Sequence, residues 1–361
     1  MQQRNFINTV VLVLLFMSSA NAQPTPAIDR VFQFEEYRQF DFWIGTWEVN
    51  LRRIQEDHTW VDWKKAIAHI HPILDGKAIL ELWEDQYDGS PQEVIIGYSL
   101  RYYNSATGKW HLWLNWPGSN RSGSSSLEGQ FQHCRGEFFS ERPIDDSTNL
   151  ISRYTFSDIT DHSLRWDDAF SRDGGKTWSH NWIMEFTRNQ EQAPWDKDED
   201  QALHSFRSGN RCTLTGFDLL DQFVGLWKGT IEYLGEQGQW HTTQATLNNY
   251  KALGGCSVMS FLHYPRQGSI FREFSLMTYN TYANLYEDGR LDNTPTSHYR
   301  PMFGELENDT LTLVRQNHAP KTIAEKYIWT FPESGELQVE KWALVDGALK
   351  KVAVARFKKE Q

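Results

Sequence analysis

The sequence predicts an all-β protein built from two tandem antiparallel β-barrels. Three observations support this prediction: one unit is written twice, apolar and polar residues alternate along short segments, and long helical patterns are lacking. The segment FDFWIGTWEV, which begins at Phe40, is matched by LDQFVGLWKG from Leu220. A unit that recurs at a fixed spacing indicates a duplicated structural domain.

Further matches follow in the same order along both halves of the chain. They pair the segments at 74–76 and 253–255, at 103–104 and 279–280, and at 173–174 and 346–347. Chance seldom gives so many collinear matches, so we infer an ancient duplication. The units are predicted at 30–190 and 213–361, and the polar, charged stretch at 191–212 between them is predicted to be a linker.

Each unit consists of short segments with a period of two. EVIIGYSLRYYN, WHLWLNW and ISRYTFSDI in the first unit, and REFSLMTYN, KYIWTF and KKVAVARF in the second, are rich in β-branched and aromatic residues. Such segments predict strands, and turn sequences separate them at hairpin spacing. Only a short helix is expected before each first strand. Closing the strands into a barrel would remove the exposed sheet edges.

The N-terminal segment, residues 1–22, is predicted to be a secretory signal peptide. Arg4 precedes an apolar run, which ends in small residues and an A-x-A cleavage pattern at Ala20–Ala22. We therefore expect an exported protein, periplasmic or secreted, with no membrane insertion. A formal net charge of −11 argues against nucleic acid as a partner. Three cysteines allow at most one intrachain disulfide, so the fold must rest on its hydrophobic core.

A Gly-x-Trp pair opens the first strand of each unit: Gly45 and Trp47, then Gly225 and Trp227. This pattern resembles the signature of lipocalins and other calycins. The resemblance implies that each Trp closes one barrel end and that a late-strand arginine packs across it. Arg188 and Arg356 occupy the matching ends of their units, so these six residues are predicted to be structural.

The motif SRDGGKTW at 171–178 fits the Asp-box pattern of propeller glycosidases, but it occurs once. We interpret it as a hairpin turn in which Asp173 binds backbone amides. Together with FDFWIGTW, it resembles a largely uncharacterised family of exported, lipocalin-like bacterial proteins. The tandem arrangement resembles carotenoid hydratases and cyclases. The second Gly-x-Trp also resembles nitrobindin-type haem barrels, but Ile231 replaces a further glycine and no His follows His318, so no cofactor is expected.

His69, His71 and Glu81 are weak candidates for catalysis. The two histidines are separated by one residue on a predicted strand and so share a face. They could meet a metal, but a third ligand is not evident and no metal site is predicted. The alternative is that these are ordinary polar residues, inside the barrel or facing solvent.

Trp83, Trp113, Asn115 and Arg153 are the candidate ligand-binding residues. They are aromatic or polar side chains within strands of the first unit, which holds most of the tryptophans. Inward polar groups orient a ligand that apolar walls hold, although tryptophan is more often part of the core.

The leading functional hypothesis is therefore an exported protein that binds a small lipophilic or aromatic molecule in a barrel, with unit one the better candidate. One alternative is a cofactor-independent isomerase, cyclase or hydratase that acts on a hydrophobic substrate. The other is a structural or interaction module without a pocket. The sequence does not decide between these, nor does it give the oligomeric state.

Overall fold

The computed structural model describes residues 36–86, 95–116, 125–145, 147–189, 212, 215–316, 322–331 and 335–360. Within these residues the chain forms two closed barrels of ten antiparallel strands each. The predicted all-β fold of two tandem barrels is thus confirmed. The predicted signal peptide and all of the predicted linker except Cys212 lie outside the described residues. No helix in the described ranges is long and apolar enough to span a membrane.

Barrel 1 is an up-and-down barrel in which each strand pairs with its neighbour in sequence and β1 closes the ring on β10. A 3₁₀ turn at Asp41–Trp43 precedes it. Its strands are β1 (Gly45–Ile54), β2 (Trp60–Ile73), β3 (Ala78–Asp85), β4 (Ile95–Asn104), β5 (Lys109–Asn115), β6 (Ser125–Gln132), β7 (Arg135–Pro143), β8 (Asn149–Ser157), β9 (Ser163–Ser171) and β10 (Ser179–Arg188).

Barrel 2 repeats this topology, with β11 paired to both β12 and β20. Two four-residue helices, α1 (Thr215–Asp218) and α2 (Leu220–Phe223), precede it. Its strands are β11 (Gly225–Leu234), β12 (Trp240–Ala252), β13 (Ser257–Arg266), β14 (Ser269–Asn280), β15 (Leu285–Asp292), β16 (Arg300–Glu307), β17 (Thr310–Gln316), β18 (Ile323–Thr330), β19 (Glu336–Val345) and β20 (Ala348–Lys359).

The two barrels pack against each other through the outer faces of β3–β5 and β13–β16. Strand β3 is buried along its whole length, because its two faces have different neighbours. Ile79 and Trp83 join the interior core of barrel 1. Leu80 and Leu82 join a separate apolar cluster that includes Phe261 and other side chains of barrel 2. The chain therefore has three cores: one inside each barrel and one between them.

Aromatic and polar contacts reinforce this interface between the barrels. The Trp113 ring stacks on that of Tyr299, with centroids 4.2 Å apart, and the Tyr98 and Tyr299 hydroxyls lie 3.3 Å apart. Arg272 forms an ion pair with Asp75 at 2.8 Å. The face of barrel 1 that meets barrel 2 is thus both apolar and hydrogen-bonded.

A disulfide joins Cys212 to Cys256 across 44 residues. Cys256 follows the 3₁₀ turn Leu253–Gly255 and is fully buried at the start of β13. The bond therefore attaches the residue that ends the predicted linker to the core of barrel 2. Cys134 is exposed and carries a free thiol.

Candidate ligand site in the second barrel

Barrel 2 contains an interior cavity of about 290 Å³. Part of its wall is apolar and comes from β11, β12, β19 and β20, with Ile231, Leu247, Val339, Ala353, Ala355 and Phe357 among its residues. The rest is polar or aromatic and comes from β13, β14, β15, β18 and β19, with Ser260, Tyr264, Glu273, Ser275, Arg290, Glu325, Tyr327 and Lys341. The two kinds of wall make the cavity amphipathic.

The polar residues reach the interior because of strand alternation. On β14, Phe271, Glu273 and Ser275 are separated by one residue each and line the cavity together. The intervening Phe274 belongs to the cluster between the barrels. The antiparallel register places Ser260 opposite Ser275, so that the two hydroxyls lie on neighbouring strands of the same inner face.

A buried ion network crosses the inner wall beside the cavity. The Glu273 carboxylate meets Nη1 of Arg290 at 2.7 Å and Nη2 of Arg300 at 2.9 Å. Arg290 also meets Asp288 at 2.7 Å, and Arg300 meets Asp292 at 2.7 Å. All five side chains are almost fully buried. Buried charges are tolerated only when they are paired in this way.

The network continues toward one end of the barrel through Glu325. Its carboxylate lies 3.0 Å from Nε of Arg315, 3.5 Å from Nε of Arg300 and 3.7 Å from Nζ of Lys341. The Tyr327 hydroxyl donates to Glu273 at 3.2 Å, and the Arg290 guanidinium lies 3.9 Å from the Tyr327 ring centroid. The Glu325 carboxylate is thus the shared counterion of three cations at this end of the barrel.

The protonation states follow from burial and pairing. Burial acts to lower the pKa of Arg290, but the adjacent carboxylates of Asp288 and Glu273 outweigh it and the pKa is raised. Burial acts to raise the pKa of Glu325, but the charges of Lys341, Arg300 and Arg315 outweigh it and the pKa is lowered. Both groups are therefore charged over the physiological range.

The interior of barrel 1 is packed with aromatic rings. Phe40 contacts Trp110, Phe131, Phe138 and Phe156, with ring centroids 4.8–5.5 Å apart. Trp43, Trp47 and Trp110 are at most 1% exposed. The tryptophans that favoured unit one as the ligand site therefore fill space, at least in this part of the barrel, whereas the cavity described above lies in barrel 2.

Glu81 faces this aromatic interior. Its carboxylate meets Nη1 of Arg101 at 3.3 Å and accepts a hydrogen bond from Ser99. The Arg101 guanidinium lies 3.7 Å from the Trp43 ring centroid, and burial lowers the pKa of Arg101 to about 10. Glu81 is thus the counterion of a buried arginine.

His69 and His71 lie on the opposite, outer face of β2. The alternate residues Ala68 and Ile70 belong to the barrel interior, so the histidines point away from it. His69 meets Glu84 at 3.3 Å, and burial, followed by the charge of His69, lowers the pKa of His71 to about 3. The histidines and Glu81 are therefore not brought together. No cluster of three His, Cys, Asp or Glu side chains suited to a metal occurs in the part of the chain that is described.

The four candidate ligand-binding residues are also dispersed. Trp83 faces the interior of barrel 1 and donates its indole N–H to Asp85 at 2.7 Å. Trp113 and Asn115 are on the outer face and lie at the interface with barrel 2, where Trp113 stacks on Tyr299. Arg153 lies 4.1 Å from the ring centroid of Trp178. They therefore do not form one site.

The Gly-x-Trp residues lie at the start of the first strand of each barrel. The Trp47 indole donates to the Trp43 carbonyl at 2.8 Å, and the Arg188 guanidinium lies 4.1 Å from the Trp47 ring centroid. Arg188 also donates to the carbonyls of Phe42, Ile44 and Asp161 at 2.6–2.7 Å. Gly45 has a φ of +126° and leaves room for this guanidinium.

Barrel 2 keeps the tryptophan contact but not the arginine. Trp227 donates to the Phe223 carbonyl at 2.8 Å, and Gly225 has a φ of +141°. The strand register pairs Trp227 with Lys359, whose Nζ lies 5.6 Å from the Trp227 ring centroid. Arg356 lies three residues earlier and pairs with exposed Glu232 at 2.8 Å. The role predicted for Arg356 therefore falls to Lys359.

Asp173 lies at the centre of the SRDGGKTW turn. Its carboxylate accepts hydrogen bonds from the Lys176 and Thr177 amides at 3.0 and 2.9 Å and from the Thr177 and Ser171 hydroxyls at 2.6 and 2.8 Å. These bonds, that of the Thr177 hydroxyl first, hold the pKa of Asp173 well below its usual range. The motif thus builds a hairpin turn in this chain.

Sequence reasoning missed the ion network of barrel 2. A signal was present, because Asp288, Arg290 and Asp292 alternate along β15 with the period of one strand face. Charges at that period within a strand indicate either a solvated face or a paired buried one. Pairing with Glu273 and Arg300 depends on strand adjacency, which the alternation alone does not give.

Comparisons with known proteins do not identify the chain. No protein-family model matches it, and no curated protein matches it. Among solved structures, Rv2717c from M. tuberculosis is 11% identical and covers 42% of this chain and 100% of its own, with a TM-score of 0.32. A protein of unknown function from the DUF3598 family of Nostoc punctiforme is 11% identical and covers 91% of this chain and 100% of its own, with a TM-score of 0.24.

Proposed function

We propose that this protein is exported and binds a small amphipathic molecule inside barrel 2. The observation that carries the proposal is the cavity of about 290 Å³, which has an apolar wall on one side and hydroxyl and charged groups on the other. Ligand sites are typically concave and mostly apolar, with a few convergent polar groups that set orientation. Export is supported by the signal-peptide pattern of residues 1–22.

The cavity volume limits the size of the occupant. An engineered apolar cavity of about 150 Å³ holds benzene, so a cavity of about twice that volume fits a bicyclic aromatic or a short, compact aliphatic chain. A long polyene does not fit within it. The proposed ligand is therefore small, and the apolar wall of β11, β12, β19 and β20 contacts its apolar body.

The proposal is tested by calorimetric titration with a panel of mono- and bicyclic aromatic compounds and short fatty acids. We expect one molecule to bind per chain at micromolar concentration. The variant Ala355→Phe fills the cavity from its apolar wall and should weaken binding at least tenfold. Ala348→Phe, at an exposed position of the same strand, should leave binding unchanged.

Two results would count against the proposal. Either no member of the panel binds to the folded protein, or the cavity-filling and control variants bind the same compounds equally well. Circular dichroism of each variant establishes that the barrels are intact.

A further inference from the structure

We infer that the occupant of barrel 2 carries a carboxylate, which Arg266 and Lys341 bind at the mouth of the cavity. The inference rests on the function proposed above and specifies the chemical class of the ligand as a small organic acid. Its basis is the location of the mouth, a surplus of positive charge there, and a buried tyrosine that lines the same cavity as the two cations.

The mouth is defined by residues that line two spaces at once. Arg266, Phe271, Glu325 and Lys341 line the interior cavity and also an open surface depression of about 970 Å³ outside the barrel. A molecule that enters the cavity from this depression passes these four side chains. Its apolar body can then lie against Ala355 and its neighbours while its polar end stays at the mouth.

The charges around the mouth do not balance. In the interior network, Glu273, Asp288, Asp292 and Glu325 supply four carboxylates against the four cations Arg290, Arg300, Arg315 and Lys341. Arg266 adds a fifth cation. The depression outside adds Arg272, which pairs with Asp75, together with Lys77 and the exposed Glu236, so the surplus of one positive charge remains.

Arg266 is the source of that surplus. It is half-buried, and its guanidinium lies 5.6 Å from the ring centroids of both Tyr233 and Phe271. It forms no ion pair with any carboxylate in the described part of the chain. A guanidinium held against aromatic rings presents its N–H groups in a fixed plane, which suits two parallel hydrogen bonds to a carboxylate.

Lys341 is the second cation of the proposed site. Its closest described carboxylate is that of Glu325, at 3.7 Å, which is longer than a charge-assisted hydrogen bond. Arg315 holds the same carboxylate more closely, at 3.0 Å. A ligand carboxylate can therefore bind Lys341 without leaving Glu325 uncompensated.

Tyr264 is buried and lines the same cavity as the two cations. Burial raises the pKa of its hydroxyl, while the charges of Lys341 and Arg266 both act on it in the opposite direction. The phenol therefore lies within electrostatic reach of both cations and keeps its proton. It can donate an O–H hydrogen bond to an anion between them.

The experiment compares two probes of the same shape, 2-naphthoate and 2-naphthalenemethanol, by calorimetric titration against the full-length protein. We expect the acid to bind about tenfold more tightly than the alcohol. Lys341→Met and Arg266→Gln should each remove about tenfold from the affinity of the acid and leave that of the alcohol unchanged. Lys341→Arg should retain the preference for the acid. Lys326→Met, on β18 but outside the cavity lining, is the control and should change neither affinity.

The outcomes separate the two proposals. Equal affinity for acid and alcohol, with Ala355→Phe weakening both, overturns the anion site and leaves the binding function intact. A loss of alcohol binding in Lys341→Met equal to the loss of acid binding also overturns the anion site. Failure of the folded protein to bind either probe or any other compound of the panel overturns both proposals.

Discussion

At the scale of single residues, the late-strand arginines of the two barrels have different surroundings. Arg188 lies over Trp47 and donates to three backbone carbonyls, whereas Arg356, at the end of the other unit, lies on the surface with Glu232. A sequence match at the end of a strand does not give the register, and a shift of three residues passes the role to Lys359.

Replacing each arginine measures this difference. Arg188→Ala leaves three carbonyls without their donors and removes the contact with the Trp47 ring, so we expect a loss of about 3 kcal/mol in the free energy of unfolding. Arg356→Ala breaks an exposed ion pair and should cost less than about 1 kcal/mol. Urea denaturation measures both values. Equal losses in the free energy of unfolding for the two variants would contradict the different roles given to Arg188 and Arg356.

His71 makes stability depend on pH. Its folded pKa of about 3 lies below the ordinary value of 6.5, so the unfolded chain binds a proton that the folded chain does not. Stability is therefore complete above pH 6.5 and falls as the pH drops toward 3, by up to about 1.4 kcal/mol per pH unit.

Urea denaturation repeated between pH 4 and 7 gives the slope of the free energy of unfolding against pH. This slope should be smaller in His71→Gln, because the proton that His71 binds on unfolding no longer contributes. His162→Gln replaces an exposed histidine and should leave the slope unchanged. An unaltered slope in His71→Gln would show that the group does not titrate as described.

At the scale of elements, the turn between β9 and β10 contrasts with its copy between β19 and β20. Asp173 accepts four hydrogen bonds from its own turn. Asp346, its counterpart in the copied unit, pairs with Lys350 at 3.2 Å and is largely exposed. The first turn is therefore held by its aspartate, whereas the second relies on its backbone.

Asp173→Ala should accelerate hydrogen exchange of the Lys176 and Thr177 amides at least tenfold, because both lose their acceptor. Asp346→Ala should leave exchange in its own turn within about twofold. Protection that survives in Asp173→Ala would mean that the glycines and the strand pairing, rather than the carboxylate, hold the turn.

The strands also show how much of the structure can be predicted from the sequence. Alternation in β5 correctly separates Trp110 and Leu112 from Trp113, but it does not say which set is inside. Each face of that strand carries a tryptophan in a packed environment, because Trp110 meets the aromatic core and Trp113 meets Tyr299 of the other barrel. The contacts between the two barrels join residues that are far apart in the sequence. They therefore leave no local pattern, and for the same reason the sequence did not indicate the cavity of barrel 2.

At the scale of the whole molecule, a shared apolar cluster joins the two barrels, so we expect them to unfold as one cooperative unit. Tyr299 contributes two contacts to this interface, since its ring stacks on Trp113 and its hydroxyl lies near that of Tyr98. We expect a single thermal transition for the native chain. Tyr299→Ala should cost about 3 kcal/mol, as is usual for a buried aromatic, and should separate the transition into two.

Differential scanning calorimetry distinguishes one thermal transition from two. Tyr282→Ala, which removes a ring of barrel 2 that is 87% exposed, is the control and should keep one transition. Two transitions in the native chain, or one in Tyr299→Ala, would show that the interface does not couple the barrels.

The exposed thiol of Cys134 has a consequence for how the native disulfide is reached. Three pairings are open to the unfolded chain, and joining Cys212 to Cys256 closes the shortest loop, of 44 residues. Loop-closure entropy disfavours the pairings of Cys134 with Cys212 and with Cys256 by only about 0.5 and 0.9 kcal/mol. Chain statistics alone would therefore leave a sizeable minority of scrambled molecules. Folding of barrel 2 before oxidation would remove this competition, because the folded barrel buries Cys256 beside Cys212, whereas Cys134 is on the surface of the other barrel.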